Sequence, residues 1–320
     1  MPFEGIISVL KPPGMTSSDV VVDIRRIFGE KRVGHTGTLD PAAAGVLPIC
    51  IGRATRLFDY RVDKEKEYIA EIRFGAATDS EDAFGSVIES ADCSISEAEL
   101  RAVLPGFIGE IEQVPPIYSS LSLNGVKMYK LARRGQVTSP VEERRRKITV
   151  YDIALVEKLG ENRFLLRIRC SKGTYIRTLL RDIGRALGCP AYMSFLLRTG
   201  SGRFGLESTH TIAELRELRE RGELASVVIP MDEAAEHISA LRLDGLTRRQ
   251  KRLLINGAPI PFSGVPESTV HRLYIDGEFM GLAELSQEGL HITVWLGDEA
   301  YQSGEKQIKK NGSDGTEERK

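Results

Sequence analysis

A chain of 320 residues with 41% hydrophobic and 28% charged side chains can bury a real core, which argues against global disorder. At about 100–200 residues per domain it makes one large domain and a smaller one. Its 44 basic and 45 acidic groups sum to a formal charge of −1, which excludes a uniformly cationic nucleic-acid binder and leaves any basic surface to local patterning.

Gly5 to Leu10 is a short apolar run that predicts a strand, ended by Lys11-Pro12-Pro13-Gly14. Thr16, Ser17 and Ser18 offer caps to a helix over Asp19 to Phe28, with Val20, Ile24 and Ile27 on one face. Gly34 to Pro41 predicts a loop, because two glycines and a closing proline oppose a regular element. Tyr68 to Phe74 alternates as a half-buried strand, and Ser96 with Glu99 makes a capping box for a helix through Leu104. Ile148 to Val156 and Phe164 to Cys170 predict antiparallel strands joined at Gly160-Glu161-Asn162. A helix over Tyr175 to Leu187 is stopped by Gly188, and Ala191 to Leu197 is a short apolar run. Strands and helices mix without regular alternation, so the expected class is α+β with a mixed, largely antiparallel sheet. Near Pro230 the pattern changes to short alternating runs at Leu273–Asp276, Gly281–Leu285 and His291–Leu296, a small β module. From about Gln302 the chain is polar and predicts a disordered tail.

Cys50, Cys93, Cys170 and Cys189 form no C-x-x-C pair, which suits a reducing cytosol without disulfides or a zinc site. No apolar stretch approaches the roughly 18 residues of a membrane helix. Met1 to Ile7 lacks the blocks of a signal peptide, and a soluble cytoplasmic monomer is the default.

Charge is uneven although its sum is small. Ile117 to Lys147 holds eight basic residues (Lys127, Lys130, Arg133, Arg134, Arg144, Arg145, Arg146, Lys147) against Glu142 and Glu143, and reads as a hairpin or loop insertion. Glu161 to Arg185 holds seven basic against two acidic residues. Two solvated faces are the plain explanation; tyrosines interleaved with the arginines favour single-stranded or looped RNA instead.

Three segments can carry chemistry. In Gly34 to Pro41, His35 and Asp40 share one loop, where Asp40 suits a nucleophile, a general base or a turn-forming carboxylate before proline. Lys11 to Ser17 presents a lysine to a phosphate or braces a neighbouring loop, bracing being the better reading. Ser171 to Arg177 opens a helix in the second basic stretch, with Lys172 before it, and Arg177 is placed to grip a carboxylate in a bidentate fork or to lie on the surface. Gly200-Ser201-Gly202-Arg203-Phe204-Gly205 matches a dinucleotide fingerprint but lacks the βαβ unit around it, and a glycine-rich turn into the next helix explains it. The five histidines form no ligand cluster, and nothing calls for a cofactor or metal.

Taken in order, K-P-x-G-x-T-S (Lys11 to Ser17), G-H-x-G-x-L-D-P (Gly34 to Pro41), K-E-Y (Lys66 to Tyr68), G-T-Y-I-R (Gly173 to Arg177) and Phe195-Leu196-Leu197 closely resemble the bacterial tRNA pseudouridine synthases of the TruB family. Gln113 to Ser119 adds to the likeness, which spans Gly5 to about Gly205. The resemblance implies the pseudouridine-synthase fold and isomerisation of the uridine at position 55 in the tRNA T loop, without a cofactor. It implies Asp40 as the attacking aspartate and Arg177 as its ion partner. Tyr68 would stack on the target base and serve in proton transfer, and Tyr175 and Leu196 would line the uracil pocket. His35 would fill the place of the flipped nucleotide, and Lys11 would brace the loop. The basic 117–147 insertion would be a thumb gripping the T loop and T stem. Residues 1–235 would then be the catalytic domain, 236–300 a PUA-like RNA-binding module and 301–320 a tail. Two alternatives stay open: a tRNA-binding folding factor with secondary catalysis, and a synthase acting on other RNA loops.

Overall fold

Lys66, Tyr68, Ala70, Ile72 and Phe74 are all buried, every second residue of one strand, and that strand lies at the middle of a nine-stranded sheet. The structure is a computed structural model that describes residues 3–58, 65–123, 125–137, 141–264, 268–298 and 301.

The chain begins with β1 (Gly5–Lys11), α1 (Ser17–Phe28), β2 (Val33–His35), β3 (Ala44–Ile51) and β4 (Glu65–Phe74). A small hairpin, β5 (Ala76–Thr78) and β6 (Val87–Ser90), leads to α2 (Glu97–Val103) and β7 (Gly109–Gln113). The basic insertion folds as a short hairpin, β8 (Ser122–Leu123) and β9 (Val126–Lys127), followed by α3 (Met128–Arg133). Then come β10 (Arg146–Gly160), β11 (Arg163–Ser171), α4 (Ile176–Ala186), β12 (Ala191–Ser201), β13 (Phe204–Gly205), α5 (Ile212–Arg221) and α6 (Met231–Ala234). The large sheet runs β1-β3-β12-β4-β11-β10-β7, with β2 on β3 and β13 on β12; β3 and β12 pair in parallel and the other pairs are antiparallel. The expected α+β class with a mixed, largely antiparallel sheet is what is observed.

Helix α1 starts at a Thr16–Asp19 capping box and ends at left-handed Gly29, burying Val20, Val21, Ile24, Ile27 and Phe28. Helix α4 buries Ile176, Leu179, Leu180 and Ile183. Both stripes join one core with the buried faces of β4, β10, β11 and β12.

A second, β-rich unit holds β14 (Ala240–Leu243), α7 (Arg248–Ile255), β15 (Val270–Ile275), β16 (Glu278–Ser286) and β17 (Gly289–Trp295) in a four-stranded sheet. It has its own core around Leu254, Leu273, Ile275, Met280 and Leu290. Leu57 packs with Leu282, Val294 and Leu296, and Arg56 Nη1 donates to Trp295 O at 2.9 Å, so this unit is seated on the segment after β3.

The glycine-rich 200–205 segment is a tight hairpin between β12 and β13, and Gly205 then caps the short 3-10 helix Leu206–Ser208, so the expected turn into the next helix is present. Three expectations need correction. Gly34 and His35, expected in a loop running to Pro41, belong to the short strand Val33–His35 on β3, with Gly34 against the Phe58 ring, which a Cβ would approach to 2.6 Å. The apolar run Ala191–Leu197 continues to Ser201, because its partner β4 is long enough to pair all of it. Cys93 and Cys189 are joined as a disulfide: they are 96 positions apart in sequence, but the loop after β6 meets the turn after α4 with Cα atoms 6.2 Å apart. Asn124 and the tail beyond Tyr301 lie outside the described residues.

Gly45 is the tightest backbone position of the sheet. It pairs with Lys11 on β1 and with Arg198 on β12, has φ +120°, and a Cβ there would fall 2.1 Å from Arg198 O. Gly45→Ala is expected to destabilise the protein by about 2 kcal/mol or more, while Gly106→Ala, with open space around it, stays within about 0.5 kcal/mol. Urea unfolding of both variants measures this; equal stabilities would refute the crowding argument.

Candidate active site

The loop between β2 and β3 is held by side chains and amides from the segment that follows β1. Lys11 is fully buried, and its ammonium donates to Pro12 O at 2.9 Å, Pro41 O at 3.2 Å and Ala43 O at 2.6 Å. Gly14 N donates to Pro41 O at 2.8 Å. Ser17 Oγ donates to Leu39 O at 3.1 Å and accepts from Leu39 N at 2.9 Å. Lys11, Gly14 and Ser17 thus clamp the Leu39–Ala43 backbone, and buried Leu39 anchors it from inside.

Asp40 is turned toward Arg177, the second residue of α4. Arg177 Nε lies 2.9 Å from Asp40 Oδ2 and Nη2 donates to Oδ1 at 3.3 Å, a bidentate fork. The arginine side chain is 4% exposed and the aspartate 33%, so the cation is sealed while the carboxylate stays reachable. Arg177 also donates to Ser80 O and to Tyr118 O, both at 2.9 Å, and Asp82 Oδ2 lies 4.0 Å from Nη1.

The other expected site residues lie on β4, at the start of α4, on β12 and on β2. Tyr68 is buried on β4; burial pushes its phenol pKa up, and the nearby Arg198 guanidinium opposes this. Tyr175 caps α4, and its backbone is gripped by Gln113, which accepts from Tyr175 N at 3.0 Å and donates to Tyr175 O at 3.3 Å. The Arg146 guanidinium lies 4.5 Å from the Tyr175 ring centroid. Leu196, buried on β12, is opposite Ala70 of β4. His35 ends β2; burial, then Arg198, lower its pKa, so its ring is neutral near pH 7, and its Nδ1 is buried without a partner.

Sequence reasoning missed Arg198, among the described residues the largest side chain buried this completely. Its Nε donates to Val46 O at 2.7 Å and its Nη2 to Gly37 O at 3.2 Å. The signal was present, since a period of two places it on the same strand face as Leu196. Asp82 and Ser80 were missed too, because nothing local shows that their turn meets α4.

The basic stretches divide. Lys127, Lys130, Arg133, Arg134, Arg144 and Lys172 are exposed. Arg145 pairs with Glu112 and Glu142, Lys147 with Glu110 at 2.7 Å, and Arg146 bonds Gly173 O beside Tyr175. In the 161–185 stretch Arg163, Arg167, Arg169, Arg177, Arg181 and Arg185 all sit in ion pairs within the chain, exposed for Arg163, Arg167, Arg169 and Arg185 and buried for Arg177. A groove of about 690 Å³, whose lining includes Glu65, Glu67, Arg203, Glu207, Glu236 and His237, holds none of the residues around Asp40. Among the described residues no helix is long and apolar enough to cross a membrane.

Comparison with known proteins shows the family. Residues 25–176 match the N-terminal domain of the TruB family pseudouridylate synthases, and residues 177–236 match a tRNA pseudouridylate synthase B C-terminal domain. The tRNA pseudouridine synthase B of Alkaliphilus oremlandii is 41% identical over 89% of this chain and 94% of its own length. That of Caldanaerobacter subterraneus is 43% identical over 88% and 95%. Among solved structures, a chain of an H/ACA RNP bound to a substrate RNA containing 2′-deoxyuridine is 26% identical, with a TM-score of 0.68 over 93% of this chain and 86% of that one.

Burial lowers the Lys11 pKa to about 8, partly offset by Asp40 and reinforced by Arg198. Between about pH 8 and 10.5 the unfolded chain therefore binds more protons at this lysine than the folded one, so the group makes stability rise with pH across that window. Lys11→Met lacks this rise. Its stability deficit, about 1–3 kcal/mol for the lost donors at neutral pH, should widen toward pH 10; a pH-independent deficit in denaturant titrations would contradict the assignment.

Proposed function

Because the chain belongs to the TruB family of pseudouridylate synthases, we propose that it isomerises uridine to pseudouridine at position 55 in the T loop of tRNA, with Asp40 as the attacking group. The observation that carries this reading is the Asp40–Arg177 fork, a carboxylate fixed in direction by a sealed guanidinium yet open on its other side. A base in a stacked loop hides its glycosidic carbon, so the target must be flipped out to reach this carboxylate. The bond from C1′ to N1 breaks, the bond from C1′ to C5 forms, one proton leaves C5 and one is gained at N1. Reactant and product are isomers, so the reaction is neither a net oxidation nor a transfer to a second molecule.

In this reading Tyr68 stacks on the flipped uracil and takes part in the proton transfer from C5. Tyr175 and Leu196 line its pocket, and Lys11 braces the loop. The neutral ring of His35 fits the role of filling the gap that the extruded base leaves, since an apolar stack has no use for a charge. Residues 117–147 act as the thumb, with Lys127, Lys130, Arg133, Arg134 and Arg144 facing the RNA backbone. Residues 1–235 form the catalytic domain, and 236–300 form a PUA-like RNA-binding module. Support for the module's role comes from α7, which exposes Arg248, Arg249 and Arg252.

Asp40→Asn keeps the shape and removes the nucleophile. Release of tritium from 5-labelled uridine in T-loop RNA should fall on the order of 10³-fold or more, with RNA still bound; turnover at the wild-type rate would reject Asp40. Binding should also separate the two basic stretches. Arg133→Ala with Arg134→Ala should reduce the slope of log affinity against log salt by about 1–2, whereas Arg163→Ala, whose guanidinium is engaged by Glu71, should leave it unchanged.

A further inference from the structure

Arg198 is 1% exposed, and no carboxylate pairs with it among the described residues. Burying a guanidinium without a counter-ion is unfavourable, and an apolar side chain would fill the same space between β3 and β12. Its partners are specific. On β12 it lies directly opposite Tyr68 of β4, with both side chains on the buried face of the sheet. Its Nε donates to Val46 O on β3 and its Nη2 to Gly37 O in the loop that carries Asp40. One side chain therefore touches the strand of the stacking tyrosine, the strand that follows the loop, and the loop itself.

We propose that Arg198 is a positioning residue for the isomerisation, fixing the Tyr68 hydroxyl relative to the Asp40 loop so that ring and carboxylate address the same nucleotide. This rests on the proposed function above. Burial holds the Tyr68 phenol pKa up, and the nearby Arg198 guanidinium pulls against that, toward the ionised oxygen able to accept the proton that leaves C5. The electron pair of that C–H bond then restores the uracil ring, and the proton remains on the phenol.

The test compares Arg198→Met and Arg198→Lys with the wild-type chain on T-loop RNA. Three quantities are read: the single-turnover rate, RNA affinity and Tyr68 ionisation, the last from the difference in phenolate absorbance against matched Tyr68→Phe proteins. Arg198→Met should slow turnover about 100-fold, the effect of misplacing a reacting group by about 1 Å, with RNA affinity within about threefold. It should also move Tyr68 ionisation to higher pH. Arg198→Lys should recover at least about a tenth of the rate and move the ionisation back. A wild-type rate, or Tyr68 ionisation that does not move, overturns the proposal. So does a rate loss that only tracks lost RNA affinity and lost thermal stability, because a staple between β3 and β12 would behave that way. Where Arg198→Met fails to fold, Arg198→Lys decides alone: it must fold, run slower than wild type and ionise Tyr68 near the wild-type pH. An active Asp40→Asn protein would instead remove the reading beneath this one; an inactive Asp40→Asn beside a fully active Arg198→Met removes only the role of Arg198.

Discussion

A guanidinium taken out of water must have its N–H groups satisfied, and Arg177 meets that demand by drawing distant segments to one point. It leaves the first turn of α4 and reaches the Asp40 carboxylate, the Ser80 carbonyl in the turn between β5 and β6, and the Tyr118 carbonyl after β7. Removing any of these partners would strand a buried donor. The carboxylate is thus aimed by an interaction that four chain segments uphold, and its free face is left for a substrate. Glu81 reinforces the arrangement, accepting from Thr178 Oγ1 at 2.8 Å and pairing with Arg181 one turn further along α4.

The loop that bears Asp40 is short of regular structure, and its stiffness comes from the groups its carbonyls meet. Lys11 and Ser17 approach from one side and Arg198 from the other. Gly45 explains why the two cations can both reach: it lies between their strands, and the missing side chain lets the strands close. Burial lowers the pKa of Lys11 and of His35, and the Arg198 guanidinium adds to it in both cases, while Asp40 opposes it at Lys11.

Much of the sheet was legible because its strands alternate with a period of two, as in Glu65–Phe74 and the β10–β11 hairpin. The capping boxes at Thr16 and Ser96 marked two helix starts to within a residue or two. β3 was not legible: Ala44–Ile51 is buried throughout from Gly45 onward, so it shows no alternation to read. Neither was α7, whose eight residues carry four basic groups and only a narrow apolar stripe. Within the site, Asp40 and Arg177 carry local signals, a loop and a helix start, but Ser80, Asp82 and the Cys93–Cys189 link are set by which turns meet in space. Arg198 was hidden differently, since a cation at the end of an apolar run reads as the run's exposed end.

The same distinction between chain and space governs the electrostatics. Counted along the sequence, 161–185 is as basic as a nucleic-acid surface. Counted across strands it is not, because β4 brings Glu65 and Glu71 and β10 brings Asp152 beside the arginines of β11. Such exposed pairs add little to stability, about 0–1 kcal/mol each, yet they cancel the field that a polyanion would feel. Glu110, Glu112 and Glu142 trim the edge of the 117–147 segment in the same way. Among the described residues, exposed cations outside these ion pairs include Lys127, Lys130, Arg133 and Arg134 on α3 and its flanks, Lys172, and Arg248, Arg249 and Arg252 of α7, in a molecule whose formal charge is −1. Such a protein presents separate cationic patches rather than one uniform field, because ion pairs mute the charge between them.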